Sequence, residues 1–361
     1  MNPLNLDLST PLGREEAATL LQKGQILALP TDTVPGLGVL LGAEDAASRL
    51  ASCKSAPSSR PFSLHFGALN QLNACLPKLP AGLPAWINSR LPGPWTLVLP
   101  SAWVEAPWKE TWPHEMTGFR VPREPLFSQL ASSLDSPLLM TSINESGEPP
   151  LWGPDLETWL EQHPEVVPAI NPRMVQESQA SRVVSFTPTP QILRGAPLSK
   201  GELPGKSVLI LCTGNICRSP LAAEALRVSL AASWDVSVQE LSSLGWVVES
   251  AGTFATPGLP ATAHSIQVAK EVGLDLSRHQ AQFLGDALAK PWDLVLGLGK
   301  SHLDGLSSNF SAELDVLNPR GQDIADPYGG SLAIYRQMRD EVLLCIEDRM
   351  ATWSSWGARK T

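Results

Sequence analysis

A chain of 361 residues with 43% apolar and 17% charged residues suits a soluble globular protein and is long enough for two domains. The net charge of −9 divides as −5 over residues 1–204 and −4 over 205–361, so neither half has the basic balance of a broad nucleic-acid binder. No apolar run approaches the ~18 residues of a membrane span, the N-terminus lacks the basic and apolar segments of a signal peptide, and five cysteines are too few for a disulfide framework. The expectation is a cytoplasmic protein with catalytic or buried thiols, no membrane partner and no stable nucleic-acid partner.

Residues 14–23 read as a helix with acids in its first turn and Gly24 as its stop. Residues 26–29, Ile-Leu-Ala-Leu, read as a buried strand that runs into Pro30-Thr-Asp-Thr33 and then two glycines. The bland reading is a strand and a turn. Small polar side chains at the end of a buried strand are also what a nucleotide or amino-acid pocket requires.

Further segments follow: Lys54 before a Pro-rich loop, Arg90-Leu-Pro-Gly-Pro-Trp-Thr-Leu-Val-Leu99, Phe119-Arg-Val-Pro122, Thr141-Ser-Ile-Asn-Glu-Ser-Gly147, Ser181-Arg-Val-Val-Ser185 and Ile192-Leu-Arg-Gly195. In this order they resemble the YrdC-like family, the threonylcarbamoyl-AMP synthases, over roughly residues 10–198. The resemblance implies a twisted mixed-sheet α/β domain that joins threonine, bicarbonate and ATP, with magnesium, in tRNA modification. It implies a ligand site from Thr31, Thr33, Lys54, Ser142, Asn144 and Ser181, with Arg120 and Arg194 adding positive charge. Three positions depart from the family: Pro35 replaces a Tyr, Ala56 replaces an Arg, and Ser185 replaces an Asp. Arg60, four residues past Ala56, is the candidate substitute for the missing guanidinium. A different class of reading follows from these losses: a diverged nucleotide-binding domain that regulates its neighbour without catalysis.

Residues 103–115, with three of the twelve tryptophans, and the proline-rich residues 147–172 read as insertions or surface loops. The tryptophans are read as packing rather than as base-stacking groups. Residues 195–206 carry several helix breakers and no apolar period, and 199–205 is the expected interdomain linker.

The second half opens on Lys206-Ser-Val-Leu-Ile-Leu-Cys-Thr-Gly-Asn-Ile-Cys-Arg-Ser-Pro220. Residues 208–211 read as a buried strand, 212–219 as a loop, and Pro220 as the first residue of a helix. Strand, tight loop and helix together aim backbone N–H groups and a helix N-terminus at an anion. A thiolate is the nucleophilic form of cysteine, and a helix N-terminus beside a guanidinium favours it. A guanidinium also binds two phosphate oxygens with its planar fork. Cys212 and Arg218 in a Cys-x5-Arg loop therefore suit attack on a phosphate ester.

The wording Cys212-Thr-Gly-Asn-Ile-Cys-Arg-Ser-Pro220 resembles the phosphate loop of the low-molecular-weight protein tyrosine phosphatases, and the resemblance covers roughly residues 206–355. Expected strands at 247–253 and 292–298, and expected helices at 261–272 and 331–350, alternate as a Rossmann-like parallel sheet covered on both faces requires. Ser250-Ala-Gly-Thr253 is typical of the family. Asp326-Pro327, alone a turn, resembles the family's mobile acid loop beside a Cys-x5-Arg motif, and a carboxylic acid there supplies the leaving group's proton.

The resemblance implies cysteine-dependent hydrolysis of protein phosphotyrosine, with no cofactor. Cys212, Arg218 and Asp326 are the expected catalytic residues. Thr213, Gly214, Asn215, Ile216, Cys217 and Ser219 are the expected phosphate loop. Asn215 is expected in a left-handed conformation, Ser219 as a donor to the thiolate, Tyr328 beside the substrate ring, and His279 as a brace for the loop. Cys212 and Cys217 are a pair that can form a protective disulfide in the family. Gln282 stands where the family carries an Arg. Phosphoarginine is the alternative substrate, since the Gly-Gly after Tyr328 resembles a branch that includes protein-arginine phosphatases. Ile216 argues for an aromatic ring, because the arginine-specific relatives carry Thr there. Arsenate reduction would need resolving thiols, and beyond Cys217 the chain offers only Cys345.

Overall fold

The computed structural model describes residues 6–54, 62–112, 114–144, 148–171, 177–187, 190–306 and 312–354. The chain divides into two compact units: Met1–Lys78 with Ile87–Leu198, and Leu79–Trp86 with Ser199–Thr361. Both are α/β. Within the expected linker the residues Lys200–Glu202 form a single 3-10 turn. No helix among the described residues is long and apolar enough to cross a membrane.

The first unit is built on a mixed sheet. Its strands are β1 (Ile26–Leu29), β2 (Gly36–Leu40), β3 (Ser63–His65), β4 (Trp95–Pro100), β5 (Met116–Arg120), β6 (Leu138–Ser142), β7 (Val166–Pro168), β8 (Arg182–Ser185) and β9 (Gln191–Arg194). Their order is β7-β1-β2-β6-β3-β5-β4-β8-β9, with parallel pairs at β1/β7, β3/β5 and β4/β8. The remaining neighbours are antiparallel. Among the described residues, every motif expected to line a ligand site lies at or next to the end of one of these strands, except Lys54.

Two expectations need correction here. The first helix spans Pro11–Gln22, not 14–23; Thr10 caps it by accepting from the Gly13 N–H, and the first turn carries no acid. Pro11 sits where its missing N–H would be unpaired anyway, so it starts the helix instead of preventing it. The stretch 147–172 is not a surface loop throughout. It contains a helix, Gly153–Gln162, and β7, which pairs with β1. Pro154 again lies in the first helical turn, and Leu156, Trp159 and Leu160 form the buried stripe that i, i+3, i+4 spacing produces. Trp112 is buried and its indole N–H donates to Thr117 Oγ1 at 3.1 Å, so it packs as expected.

The second unit is a parallel sheet of β10 (Ser207–Cys212), β11 (Val247–Gly252), β12 (Leu294–Gly297) and β13 (Glu313–Val316), ordered β11-β10-β12-β13. Residues 208–212 of β10 are all buried, as in a strand covered on both faces. One layer of core joins Leu209, Leu211, Ala251, Ala287, Trp292 and Val295. Helices Arg218–Trp234 and Leu332–Ser354 pack against each other. The central strand delivers Cys212 at its C-terminal end, where ligands bind in open α/β sheets.

Candidate active site

The loop from Cys212 leads into a helix that begins at Arg218, two residues before the expected start, so Pro220 is its third residue. The first four helical N–H groups have no partner within the helix, so proline is tolerated anywhere in that turn. The earlier start places Arg218 and Ser219 on the rigid first turn instead of in the loop.

Around the sulfur, the backbone N–H of Asn215 points at Cys212 Sγ (3.2 Å), and Ser219 Oγ lies 3.0 Å from it. Asn215 has φ = 52°, the expected left-handed conformation. Its side chain explains how that conformation is held. Asn215 Nδ2 donates to Ser219 Oγ and Ser250 Oγ, both at 2.8 Å, and its Oδ1 accepts from the Gln282 backbone N–H at 2.8 Å. Ser219 accepts from Asn215, and its own proton has two acceptors in reach, the sulfur at 3.0 Å and the Ala251 carbonyl at 3.4 Å. Gln282 thus contributes through its backbone, which any side chain would provide. His279 Nε2 donates to the Asn215 carbonyl at 2.7 Å, the bracing role expected of it, and burial holds its pKa below the ordinary histidine value.

Gly252 ends β11 directly beneath the loop. A Cβ there would stand 2.5 Å from the Thr213 carbonyl oxygen and 2.9 Å from the Asn215 nitrogen, so only glycine lets the loop lie this close to the strand.

Arg218 is 6% exposed. Its Nη1 donates to the Ile324 carbonyl (3.1 Å) and its Nη2 to Thr213 Oγ1 (3.3 Å) and Asp326 Oδ2 (2.5 Å). The loop and the acid are therefore joined by the arginine. Cys212, Thr213, Gly214, Ile216, Cys217, Arg218, Asp326 and Tyr328 line one cavity of about 210 Å³. Tyr328 is 70% exposed at its rim. Both loop cysteines carry free thiols. Cys217 Sγ lies 3.4 Å from the hydroxyl of Tyr335, whose pKa burial and then this contact push up to about 12.

In the first unit, six of the expected ligand residues, Thr31, Arg120, Ser142, Asn144, Ser181 and Arg194, line a cavity of about 550 Å³. Lys54 and Thr33 do not line it. Lys54 is 2% exposed, and its ammonium donates to the Ser142 carbonyl and Asn144 Oδ1, both at 2.8 Å. It therefore shapes the 141–144 corner from below. Thr33 is buried and its hydroxyl lies 3.3 Å from that of Thr31. Arg194 donates to Ser181 Oγ at 2.8 Å, and Ser181 in turn lies 2.8 Å from Thr96 Oγ1. Ala56 and Arg60 lie outside the described residues. A larger cavity, about 830 Å³, shares Thr31, but Asp7, Asp32, Glu124 and Glu177 line it, which opposes a phosphate anion.

Sequence reasoning missed several site residues. Asp32 pairs with Arg120 at 2.5 Å across 88 positions, and burial lowers the arginine's pKa while Asp32 opposes that shift. An acid between two threonines at a strand end was the signal. His65 lines the 550 Å³ cavity, donates through Nδ1 to the Ser63 carbonyl (3.2 Å), and is held neutral, its pKa pushed down to about 3 by burial and then by Arg120. In the second unit the missed group is His302, 3.1 Å from Thr213 Oγ1.

Comparison with known proteins gives each unit its relatives. The family described as Low molecular weight phosphotyrosine protein phosphatase matches residues 207–355, and the Sua5/YciO/YrdC family, described as Telomere recombination, matches residues 19–196. A Protein-arginine-phosphatase of Bacillus subtilis (strain 168) is 37% identical over 143 residues, covering 37% of this chain and 88% of that protein. A probable low molecular weight protein-tyrosine-phosphatase, EpsP, of Ralstonia nicotianae is 33% identical over 152 residues, covering 41% of this chain and 93% of that protein. A Threonylcarbamoyl-AMP synthase of Hahella chejuensis is 32% identical over 136 residues, covering 38% of this chain and 73% of that protein. With the cysteine loop, its arginine and its acid assembled at one end of the parallel sheet, and the polar cavity at the strand ends of the mixed sheet, the chain belongs to the low molecular weight phosphotyrosine protein phosphatase family through its second unit and to the Sua5/YciO/YrdC family through its first.

Proposed function

We propose that the second unit hydrolyses protein phosphotyrosine through a phosphocysteine. The observation that carries this reading is the meeting of Cys212, Arg218 and Asp326 on one small cavity. In the first step the Cys212 thiolate attacks phosphorus, the S–P bond forms and the ester P–O bond breaks, and Asp326 gives its proton to the leaving oxygen. In the second step water attacks phosphorus, its proton passes to Asp326, the S–P bond breaks and phosphate leaves. The loop N–H groups and Arg218 supply the field that stabilises the equatorial oxygens. Substrate phosphate takes over the Arg218 Nη2 that now holds Asp326, and so frees the acid to face the leaving group.

Ile216 on the wall and the exposed ring of Tyr328 suit a planar aromatic substituent. Phosphoarginine is the second reading, favoured by the 37% identity to a Protein-arginine-phosphatase. Steady-state kinetics on phosphotyrosine and phosphoarginine peptides separate them. The wild type is expected to prefer phosphotyrosine, and Ile216→Thr to shift preference toward phosphoarginine. A wild-type preference for phosphoarginine would overturn the specificity assignment.

For the first unit we propose a site for ATP, with threonine and bicarbonate as the family co-substrates. The 550 Å³ cavity carries both Arg120 and Arg194 among small polar groups, which supports it. The loss of the family guanidinium at Ala56 and of the ring at Pro35 affects positioning more than gross binding, so pyrophosphate release should be slow. A calorimetric titration should show ATP binding that Lys54→Ala weakens about tenfold. That substitution removes the Lys54 donor from the Ser142 carbonyl, worth roughly 1–3 kcal/mol, and leaves Asn144 Oδ1 with the Ser142 hydroxyl as its donor. Absence of heat at millimolar ATP would remove the nucleotide reading.

A further inference from the structure

One buried histidine in the second unit has no part in the chemistry described so far. His302 follows the C-terminal end of β12 on a short turn, Lys300–His302, and is 6% exposed. Its Nε2 lies 3.1 Å from Thr213 Oγ1, which also accepts from Arg218 Nη2 at 3.3 Å. Its Nδ1 is buried with no well-aligned hydrogen-bond partner among the described residues, and the Gly299 carbonyl is the backbone group that acts on the ring. A polar ring so placed costs stability unless the contacts it makes are worth having.

The turn that carries His302 is itself tied to the acid loop. Ile324 donates its N–H to the Leu298 carbonyl at 2.8 Å, and Asp323 Oδ1 accepts from the Lys300 N–H at 2.9 Å. Gly299 makes the second contact possible: a Cβ there would stand 2.9 Å from the Asp323 carboxyl carbon. Arg218 Nη1 returns to the Ile324 carbonyl at 3.1 Å. The result is a closed ring of contacts: Arg218 to Thr213, Thr213 to His302, the 298–302 turn to residues 323–324, and residue 324 back to Arg218. Phosphate loop and acid loop are held in register by it.

We infer that His302 is a positioning residue for the phosphatase reaction, fixing the Thr213 hydroxyl and, through it, the guanidinium of Arg218 against the acid loop. The inference rests on the proposed phosphatase reading. A guanidinium must present two donors to phosphate in one plane, and its free rotation about the last side-chain bonds would lose that alignment. Thr213 and the Ile324 carbonyl grip it on two nitrogens, and His302 keeps Thr213 from turning away. The ring is held neutral, its pKa lowered first by burial and then by Arg218, against the Gly299 carbonyl, Asp323 and Asp326. A neutral imidazole adds no second cation beside the arginine, so the phosphate field stays centred on Arg218.

The test is steady-state hydrolysis of an aryl phosphate, with inorganic phosphate as competitive inhibitor. Loss of hydrolysis in the wild type would refute the phosphatase reading itself. With wild-type turnover in hand, His302→Phe is expected to lower kcat/KM roughly ten- to hundredfold, the scale of a misplaced binding group, and to weaken phosphate inhibition in parallel. His302→Gln, which keeps a polar nitrogen, should recover most of the loss. Thr213→Val should match His302→Phe, and the double variant should be no worse than either, since both break one chain of contacts. Wild-type phosphate inhibition in His302→Phe, no rescue by His302→Gln, or fully additive losses in the double variant would each overturn the inference.

Discussion

Cys212→Ser is expected to leave no measurable turnover of an aryl phosphate, with far-ultraviolet circular dichroism unchanged. The sulfur lies at the end of the central strand, with the Asn215 N–H at 3.2 Å and Ser219 Oγ at 3.0 Å. This is a cradle for an anion at the attacking atom. A serine hydroxyl presents no comparable anion at neutral pH, so the donors that suit a thiolate do nothing for it. Arg218→Ala should come close to the same loss for a different reason. It removes the two-pronged phosphate contact and also unties Asp326 and the Ile324 carbonyl from the loop. The two variants separate in binding: Cys212→Ser should still bind phosphate, whereas Arg218→Ala should not. Hydrolysis by Cys212→Ser at the wild-type rate would refute the assignment of the nucleophile.

What could be read from the sequence follows from how far apart the interacting groups lie along the chain. Cys212, Asn215, Arg218 and Ser219 fall within eight consecutive residues, so their chemistry is written in one motif. The strand before them and the helix after them are the context that such a motif requires. Asp326 is distant, and Asp-Pro alone reads as a turn; the resemblance to the phosphatase family is what singled it out. The partner of Thr213 is different. His302 lies 89 residues on, and nothing in Lys300-Ser-His302 shows which loop the turn will face. The signal that was available is topological: the turn follows a parallel strand, and such ends converge on one crevice.

In the first unit the expected ligand residues come from five strand ends, and their order along the chain revealed the family but not the contacts. Lys54 was expected to face the ligand and is instead buried beneath the 141–144 corner. Sequence position cannot tell a lysine that reaches into a cavity from one that supports its wall. Asp32 and Arg120 pair across 88 positions for the same reason. The helix Gly153–Gln162 was missed because prolines around it read as breakers, when one of them opens it.

Asp326→Ala is expected to slow phosphotyrosine hydrolysis by roughly 10² to 10⁴, the usual worth of a positioned general acid. Asp326 lines the same cavity as Cys212 and reaches Arg218 at 2.5 Å, and its other oxygen accepts from the Tyr328 N–H at 3.2 Å. That second bond fixes the carboxyl on the loop, so its proton has a definite direction once phosphate has displaced it from the arginine. The loss should depend on the leaving group. A phenolate of ordinary basicity needs the proton as the ester bond breaks, whereas a strongly acidic phenol departs without it, so the wild-type to variant ratio should shrink across a series of ring-substituted aryl phosphates. The variant should also lose the ion pair that competes with substrate, so its affinity for inorganic phosphate should hold or rise while kcat falls. Asp326→Asn separates these effects, because an amide keeps the size and the Tyr328 contact but has no carboxyl proton to give. It should match Asp326→Ala in kcat. An equal loss across the whole leaving-group series would show that Asp326 serves the site by holding Arg218 and not by giving up a proton.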